Sequence, residues 1–229
     1  MHLVAKLSTI HLTDEKDVFI WGLTSNGHFS VRTMYTATIA DRVSISSKDL
    51  WKMKVPLKIK IFLWFLHKGV LLTKDNLVKR NWRGSEACCF CGQPETIQHL
   101  FFECNLAKFI WRIVELAFNL QPPRNHSHLF GTWLNGRHRK IRGQMLVGAG
   151  AICWALWLSR NEIVFENSHI CSPMQVLYRG THWIRLWALL QKEKEDQHHM
   201  INACRSLESL TMEIFARHGW RFSNRLTFV

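Results

Sequence analysis

The scarcest charge in this sequence is negative. Seventeen Asp and Glu stand against 30 Lys and Arg in 229 residues, a formal net charge of +13. From Leu116 to Asn161 there is no carboxylate at all. A two-metal nuclease needs several carboxylates converging on one site, and the downstream half offers no such set. A secretory signal is also lacking, because Met1-His2-Leu3-Val4-Ala5-Lys6 has neither an extended apolar core nor a small-residue cleavage site. No apolar run reaches the ~20 residues of a membrane span. The longest, from Met145 to Leu158, contains Gly148 and Gly150, is flanked by Arg142 and Arg160, and reads as a buried helix. The seven cysteines are odd in number and uneven in place: Cys88, Cys89, Cys91 and Cys104 cluster, while Cys153, Cys171 and Cys204 are scattered. That excludes a regular disulfide framework and points to reduced thiols in a nuclear or cytoplasmic protein that is not secreted.

What is present is a large apolar fraction, 47 % hydrophobic with 11 Trp, enough to build cores. The positive excess favours an anionic partner, with nucleic acid ahead of a membrane surface. Phe19-Ile20-Trp21-Gly22-Leu23 and His28-Phe29-Ser30-Val31 flank Thr24-Ser25-Asn26-Gly27. An Asn-Gly pair between apolar runs predicts a β-hairpin, since both residues tolerate positive φ. Ser30 then caps a helix from Val31 to about Ala40, followed by a polar loop to Lys48. Pro56 suits the first turn of an apolar helix through Leu66. Thr73 caps a short helix through Arg80, with Asp75 in its first turn. Leu106 to Leu120 reads as an amphipathic helix with Phe109, Ile113 and Leu116 along one face. Gln121-Pro122-Pro123-Arg124-Asn125 breaks it and is the best domain boundary. Beyond it lie one long helix from near Asn135 to about Glu166, a break at Cys171-Ser172-Pro173, and one or two helices to about Ala216. The expected fold is therefore mainly α: a small N-terminal β-hairpin, a knuckle-containing helical domain over 17–120, and a helical region over 135–229.

Between the helix ending near Arg80 and the one beginning at Leu106 stands a metal-ligand pattern, Cys88-x2-Cys91-x7-His99-x4-Cys104. Zinc prefers four tetrahedral donors, and thiolate and imidazole satisfy it without redox change. Two cysteines separated by two residues can grip one ion in a tight turn, and Gly92 permits the backbone twist that follows. Cys89 in place of Cys88 would leave one residue between the thiolates, a poorer bite, so Cys89 is assigned to packing or exposure. Four protein donors leave no open position for a reacting water, which makes the site structural. Three thiolates and a neutral imidazole around Zn²⁺ give a net charge near −1, which nearby lysines can offset.

These residues resemble the zinc-binding domain that lies C-terminal to reverse transcriptase in plant LINE-type (non-LTR) retrotransposons. Trp21 with Gly27-His28-Phe29-Ser30-Val31-Arg32 and Tyr35 is similar to that family's opening segment. Trp51 to Trp64, around Val55-Pro56-Leu57-Lys58, is similar to its next motif, and Leu72-Thr73-Lys74-Asp75-Asn76-Leu77 to the one before the metal. Cys88, Cys91, Glu95-Thr96, His99-Leu100-Phe101, Cys104 and Trp111 follow in the family's order. Trp154-Ala155-Leu156-Trp157-Leu158-Ser159-Arg160-Asn161 resembles a helix found downstream in such proteins. The resemblance covers about residues 17 to 115. It implies a zinc module whose parents carry a polymerase ahead of it and sometimes a ribonuclease H domain behind it. No Tyr-x-Asp-Asp box is present in this chain.

Lys52, Lys54, Lys58, Lys60, Lys68, Lys74, Lys79, Arg80 and Arg83 are opposed only by Asp75 between Leu50 and Ser85. Of these, Lys52, Lys54, Lys58, Lys60, Lys79, Arg80 and Arg83 are the candidate phosphate contacts for RNA or DNA, which would bind in a salt-dependent, largely sequence-independent way. Trp82 and Phe90 could stack on bases if exposed, whereas Phe62, Trp64 and Trp111 suit the core. A second basic stretch, Arg137, Arg139, Lys140 and Arg142, opens a helix, where positive charge opposes the dipole and a bound anion would relieve it. The alternative is an interaction domain that docks a reverse transcriptase polypeptide, or a non-functional retroelement remnant. His126, His128, His198 and His199 have no matched nucleophile and orienting group, so no enzymatic activity is expected.

Overall fold

The computed structural model describes residues 19–34, 48–166 and 172–218. The chain divides into two compact units, Met1–Ser44 and Ile45–Val229. They are taken separately.

In the first unit the expected hairpin is not formed: none of the described residues lies in a strand. Residues 19–29 make turns instead. The Trp21 N–H donates to the Gly27 carbonyl (2.7 Å), and the amides of Thr24 and Gly27 donate within the turn, to the carbonyls of Trp21 and Thr24. Thr24 Oγ1 donates to the His28 carbonyl at 2.9 Å, and the His28 N–H donates to Asn26 Oδ1 at 3.1 Å. Such local side-chain bonds compete with strand pairing. The tight hairpin turn that Asn-Gly favours needs positive φ at both residues, and here only Gly27 has it, at 70°. Trp21 is held by its indole N–H to Thr33 Oγ1 (2.9 Å) and by an edge-on contact with Phe29. Residues 31–34 begin a helix as expected. The remainder of that expected helix and the polar loop after it lie outside the described residues.

The second unit is helical. Short α1 (Lys48–Lys52) leads through Pro56 into α2 (Leu57–Lys68). Pro56, at φ −56°, precedes the first helical residue, and Gly69 closes the helix at φ 70°. Its N–H donates to the Leu66 carbonyl and that of Val70 to Phe65, the reverse turn that glycine allows without a Cβ clash. One face of α2 buries Ile59, Phe62, Leu63 and Leu66. Helix α3 (Lys74–Val78) is shorter than expected. Thr73 stands at its N-terminus, but its hydroxyl donates to Asp75 Oδ1 and caps no backbone amide. That service comes from Glu95, whose carboxylate accepts the Lys74 N–H at 3.0 Å.

After the metal loop, α4 (Asn105–Phe118) buries Leu106, Ile110, Trp111, Ile113 and Val114 and ends at Asn119, φ 48°. Leu116, expected on its apolar face, is exposed. The Gln121–Asn125 segment, where the sequence suggests a boundary, lies inside the second unit. It leads to a short helix α5 (His126–Phe130) that sequence patterning did not reveal, capped by Asn125 accepting the His128 N–H at 2.7 Å.

Three long helices complete the unit: α6 (Arg139–Glu166), α7 (Pro173–Ala188) and α8 (Lys194–His218). Helix α6 packs along α7, α7 along α8, and α8 returns to α4. By length and composition α6 could cross a membrane, yet 56 % of its most apolar window is buried against the rest of this chain. Its Gly150 is where α2 comes close, since a Cβ there would stand 3.0 Å from Leu63 Cδ1. The core runs continuously from α2 through the metal loop to α8 and includes fully buried Phe101, Trp111, Leu156 and Trp187.

Candidate metal centre

The segment from Glu86 to Cys104 folds around side-chain donors with little regular structure of its own. A single antiparallel bridge joins Ala87 to Pro94. Inside it the Cys88 N–H donates to the Gln93 carbonyl (2.7 Å) and the Gly92 N–H to the Cys88 carbonyl (2.9 Å). Gly92 adopts φ 76°, the left-handed conformation expected at the close of a Cys-x2-Cys turn. Cys88 and Cys91 are thereby turned to the same side.

The second pair depends on an unusual helical turn. His99 and Cys104 are five residues apart, which on an α-helix would set them about 140° apart around the axis. Residues His99–Glu103 form a π-helical turn instead, closed by the Cys104 N–H donating to the His99 carbonyl at 2.7 Å. The wider turn reduces that angle and carries both side chains toward the two upstream cysteines. Thr96 Oγ1 accepts the His99 N–H at 3.0 Å, and Trp111 in α4 donates its indole N–H to the Phe101 carbonyl at 2.8 Å. These two bonds hold the turn from either end.

The result is that one donor atom from each of Cys88, Cys91, His99 and Cys104 lies within 4.8 Å of the others. Tetrahedral zinc with Zn–S bonds of about 2.3 Å sets its sulfurs about 3.8 Å apart. Cys91 Sγ and Cys104 Sγ are 3.8 Å apart, and Cys91 Sγ lies 3.1 Å from His99 Nε2. The donor set and the spacing both fit zinc. Cys88 and Cys104 are buried, and Cys91 and His99 half-buried. Among the described residues this is the only group of three or more potential ligands.

Electrostatics agree with the donor set. Hydrogen bonds from Cys104 and then Cys89 draw the Cys88 thiol far below its ordinary value. The hydrogen bond with Cys88, followed by burial, pushes both Cys104 and Cys89 upward. Burial raises Cys91. A divalent cation at the centre would favour the thiolate form of all three cysteine ligands. Lys74 brings a positive charge to the carbonyl of Ala87, beside the knot. The remaining described thiols are unlike these: burial alone raises Cys153, and burial first of all pushes Cys204 up to about 11, as suits inert core residues.

A second feature of the site was invisible as a pair in the sequence. Arg160 of α6 and Glu95 of the metal loop form a fully buried ion pair, with side-chain exposures of 2 % and 0 %. Arg160 Nη2 donates to Glu95 Oε1 at 2.8 Å, and Nε reaches both carboxylate oxygens at 3.2 and 3.3 Å. Glu95 also accepts the Lys74 N–H, and its carbonyl accepts the Asp75 N–H at 3.2 Å. Arg160 bonds Asn161 Oδ1 at 3.1 Å and lies over the Trp157 ring. One carboxylate therefore ties together the metal loop, α3 and α6. Each residue belongs to a motif singled out in the sequence; the 65-residue separation hid their partnership.

The candidate phosphate contacts are distributed differently. Lys52, Lys54, Lys58, Lys79, Arg80 and Arg83 are exposed, and Lys60 is half-buried with its ammonium on the Trp51 carbonyl at 2.9 Å. Lys79 pairs with Asp75 at 3.4 Å, and Lys58 lies over the Trp154 ring. Lys52 and Lys54 line one cleft, Lys58 and Arg80 another. Phe90 is buried and unavailable for stacking, while Trp82 is 40 % exposed with its ring folded over Gly84. Phe62 and Trp111 are core residues and Trp64 packs partly against them, as expected.

Residues 29–111 match the family described as zinc-binding in reverse transcriptase. A protein of Arabidopsis thaliana described as a putative ribonuclease H protein is 29 % identical over 106 residues, which cover 44 % of this chain and 17 % of that protein. The chain thus spans less than a fifth of that relative's length. No solved structure matches. Residues 29–111 are thus similar to the zinc-binding domain of reverse transcriptases, the family that the motifs of this chain resemble.

Proposed function

We propose that this chain is a zinc-stabilised module that binds nucleic acid through its phosphates and has no catalytic activity of its own. The zinc closes a loop too short to bury a core, and its four protein donors offer no exchangeable position for chemistry. Cys88, Cys91, His99 and Cys104 hold the ion, and Glu95 fixes the loop to α3 and α6. The observation that carries the binding reading is the set of exposed cations at Lys52, Lys54, Lys58, Lys79, Arg80 and Arg83; among the described residues Lys79 alone of these is offset by a carboxylate. Contacts of this kind release counterions and recognise backbone rather than bases. Thiolate ligation also suits the reducing conditions of nucleus or cytoplasm, where thiols stay reduced. The test is a titration of labelled single-stranded RNA and duplex DNA at several salt concentrations. The reading predicts tight binding at low salt that weakens steeply as salt rises. No binding at low salt, or a flat salt response, overturns it.

A second reading is docking to a protein, a reverse transcriptase polypeptide first. It is favoured by the apolar surface of α2 and the turn after it, where Leu57, Ile61, Phe65, Val70 and Leu72 are exposed. A cleft of about 410 Å³ is lined by Ile61, Phe65, Val70 and Leu72 together with Trp154 and Trp157. Ile61→Asp with Phe65→Asp should abolish association with such a polypeptide while leaving RNA binding intact; unchanged association would count against docking.

A further inference from the structure

We infer that the phosphate backbone is gripped in a cleft remote in sequence from the metal ligands, formed by Lys52 and Lys54 with the basic start of α6. This inference rests on the nucleic-acid reading above and gives it a location. A cleft of about 730 Å³ lies between the end of α1 and the N-terminus of α6. Six cations line it: Lys52, Lys54, Arg137, Arg139, Lys140 and Arg142. The two carboxylates in its wall, Asp49 and Asp196, pair with Arg142 at 3.2 Å and Lys140 at 3.0 Å. Lys52, Lys54, Arg137 and Arg139 are exposed and have no ion pair with any described residue. A surplus of four positive charges is therefore gathered from two chain segments into one concave site.

Two further observations make the cleft a place for an anion. The first turn of α6 carries no acidic residue, and its cations oppose the positive end of the helix dipole. A phosphate at that end would reverse the sign of the interaction, since helix N-termini attract anions. Most of the side chains lining the cleft are also polar or charged, with Gln144 donating to Asp196 at 2.8 Å on one wall. By contrast, the cleft at Lys58 and Arg80 is bounded chiefly by apolar side chains. Low-dielectric walls and clustered charge of one sign raise the local potential seen by a polyanion.

The test uses the full chain with zinc bound and a fluorescein-labelled oligouridylate, read by anisotropy across a salt series. Arg137→Gln with Arg139→Gln, and separately Lys52→Gln with Lys54→Gln, should each weaken binding about 20-fold near ~0.1 M salt. Each pair should also flatten the dependence of log K on log salt by about 1.4, the loss of two single-strand phosphate contacts. Lys108→Gln with Arg112→Gln, two exposed cations of α4 outside the cleft, should bind as the parent does. All these side chains are exposed, and unchanged far-UV CD and melting would confirm that the variants fold. If the parent binds and the cleft variants bind equally well, the inference is overturned while the nucleic-acid reading stands. If the parent does not bind, both are overturned. Should the cleft variants lose binding to phosphatidylserine vesicles but keep RNA affinity, the cleft serves a membrane surface and the inference is again overturned.

Discussion

The metal loop and the C-terminal helices are ordered by different physics. Between Glu86 and Cys104 the backbone makes one isolated bridge and one π-helical turn. Its order rests on side-chain chemistry: four converging donors and a buried carboxylate. From Arg139 to His218 three long helices bury a continuous apolar face, and packing replaces coordination. A loop of this length cannot bury enough apolar surface to offset its ordering entropy. The helices can. The two regions nevertheless share one core, and the Glu95–Arg160 pair is their joint.

That contrast can be broken most severely at the metal. Chelation of zinc should release the loop, because coordination energy in small zinc modules is about 10–16 kcal/mol of folding free energy at neutral pH. Hydrogen exchange should show the amides of Cys88, Gly92, Glu95 and Cys104 losing protection while α7 and α8 keep theirs. Retained protection in the loop would mean that zinc is not what orders it. Acid should act in the same direction, since ligand thiolates must be deprotonated to bind.

At the joint, Arg160→Met leaves Glu95 buried and unpaired, which costs about 3–5 kcal/mol. Urea denaturation measures it, and the added change Glu95→Leu should recover much of the loss. A single-variant loss under ~1 kcal/mol would make the pair incidental. In the helices, Leu156→Ala removes a fully buried side chain and should cost about 2–5 kcal/mol. Zinc content should not change; coupled loss of metal would show that the bundle, too, holds the loop in place.

The smallest effect is at the surface of α7 and α8. Arg185 hydrogen-bonds Glu208 at 2.5 and 2.6 Å and holds its carboxyl below the usual range. A depressed folded pKa stabilises above the unfolded value, near ~4.3, and that contribution is lost as pH falls through the folded value. The parent should therefore exceed Glu208→Gln in stability at neutral pH by less than about 1 kcal/mol, given partial exposure. The gap should close in acid; a gap that widens there contradicts the assignment.

How much was legible follows the same division. The four ligands could be read from residue type and spacing, because a tetrahedral ion imposes both. The helices α2, α4, α6, α7 and α8 announced themselves through apolar runs and proline or glycine stops. What could not be read were long-range choices. Glu95 and Arg160 each stood in a motif of their own, but nothing in either motif pointed to the other until packing placed them together. Thr73 had the chemistry of a cap, yet the more distant carboxylate took the amide. The Asn26-Gly27 pair promised a hairpin, but positive φ at Gly27 alone and bonds from Thr24 and Asn26 made turns instead. The π-turn at His99 was also hidden, since apolar periodicity does not distinguish one wide turn from a helix start.

X-ray absorption at the zinc edge on the purified full chain puts the central assignment to the most direct test. The expected shell is three sulfurs near ~2.3 Å and one nitrogen near ~2.0–2.1 Å, at one zinc per chain, with the nitrogen lost in His99→Ala. A shell dominated by oxygen, or one that is unchanged when Cys104 or His99 is replaced, would contradict it.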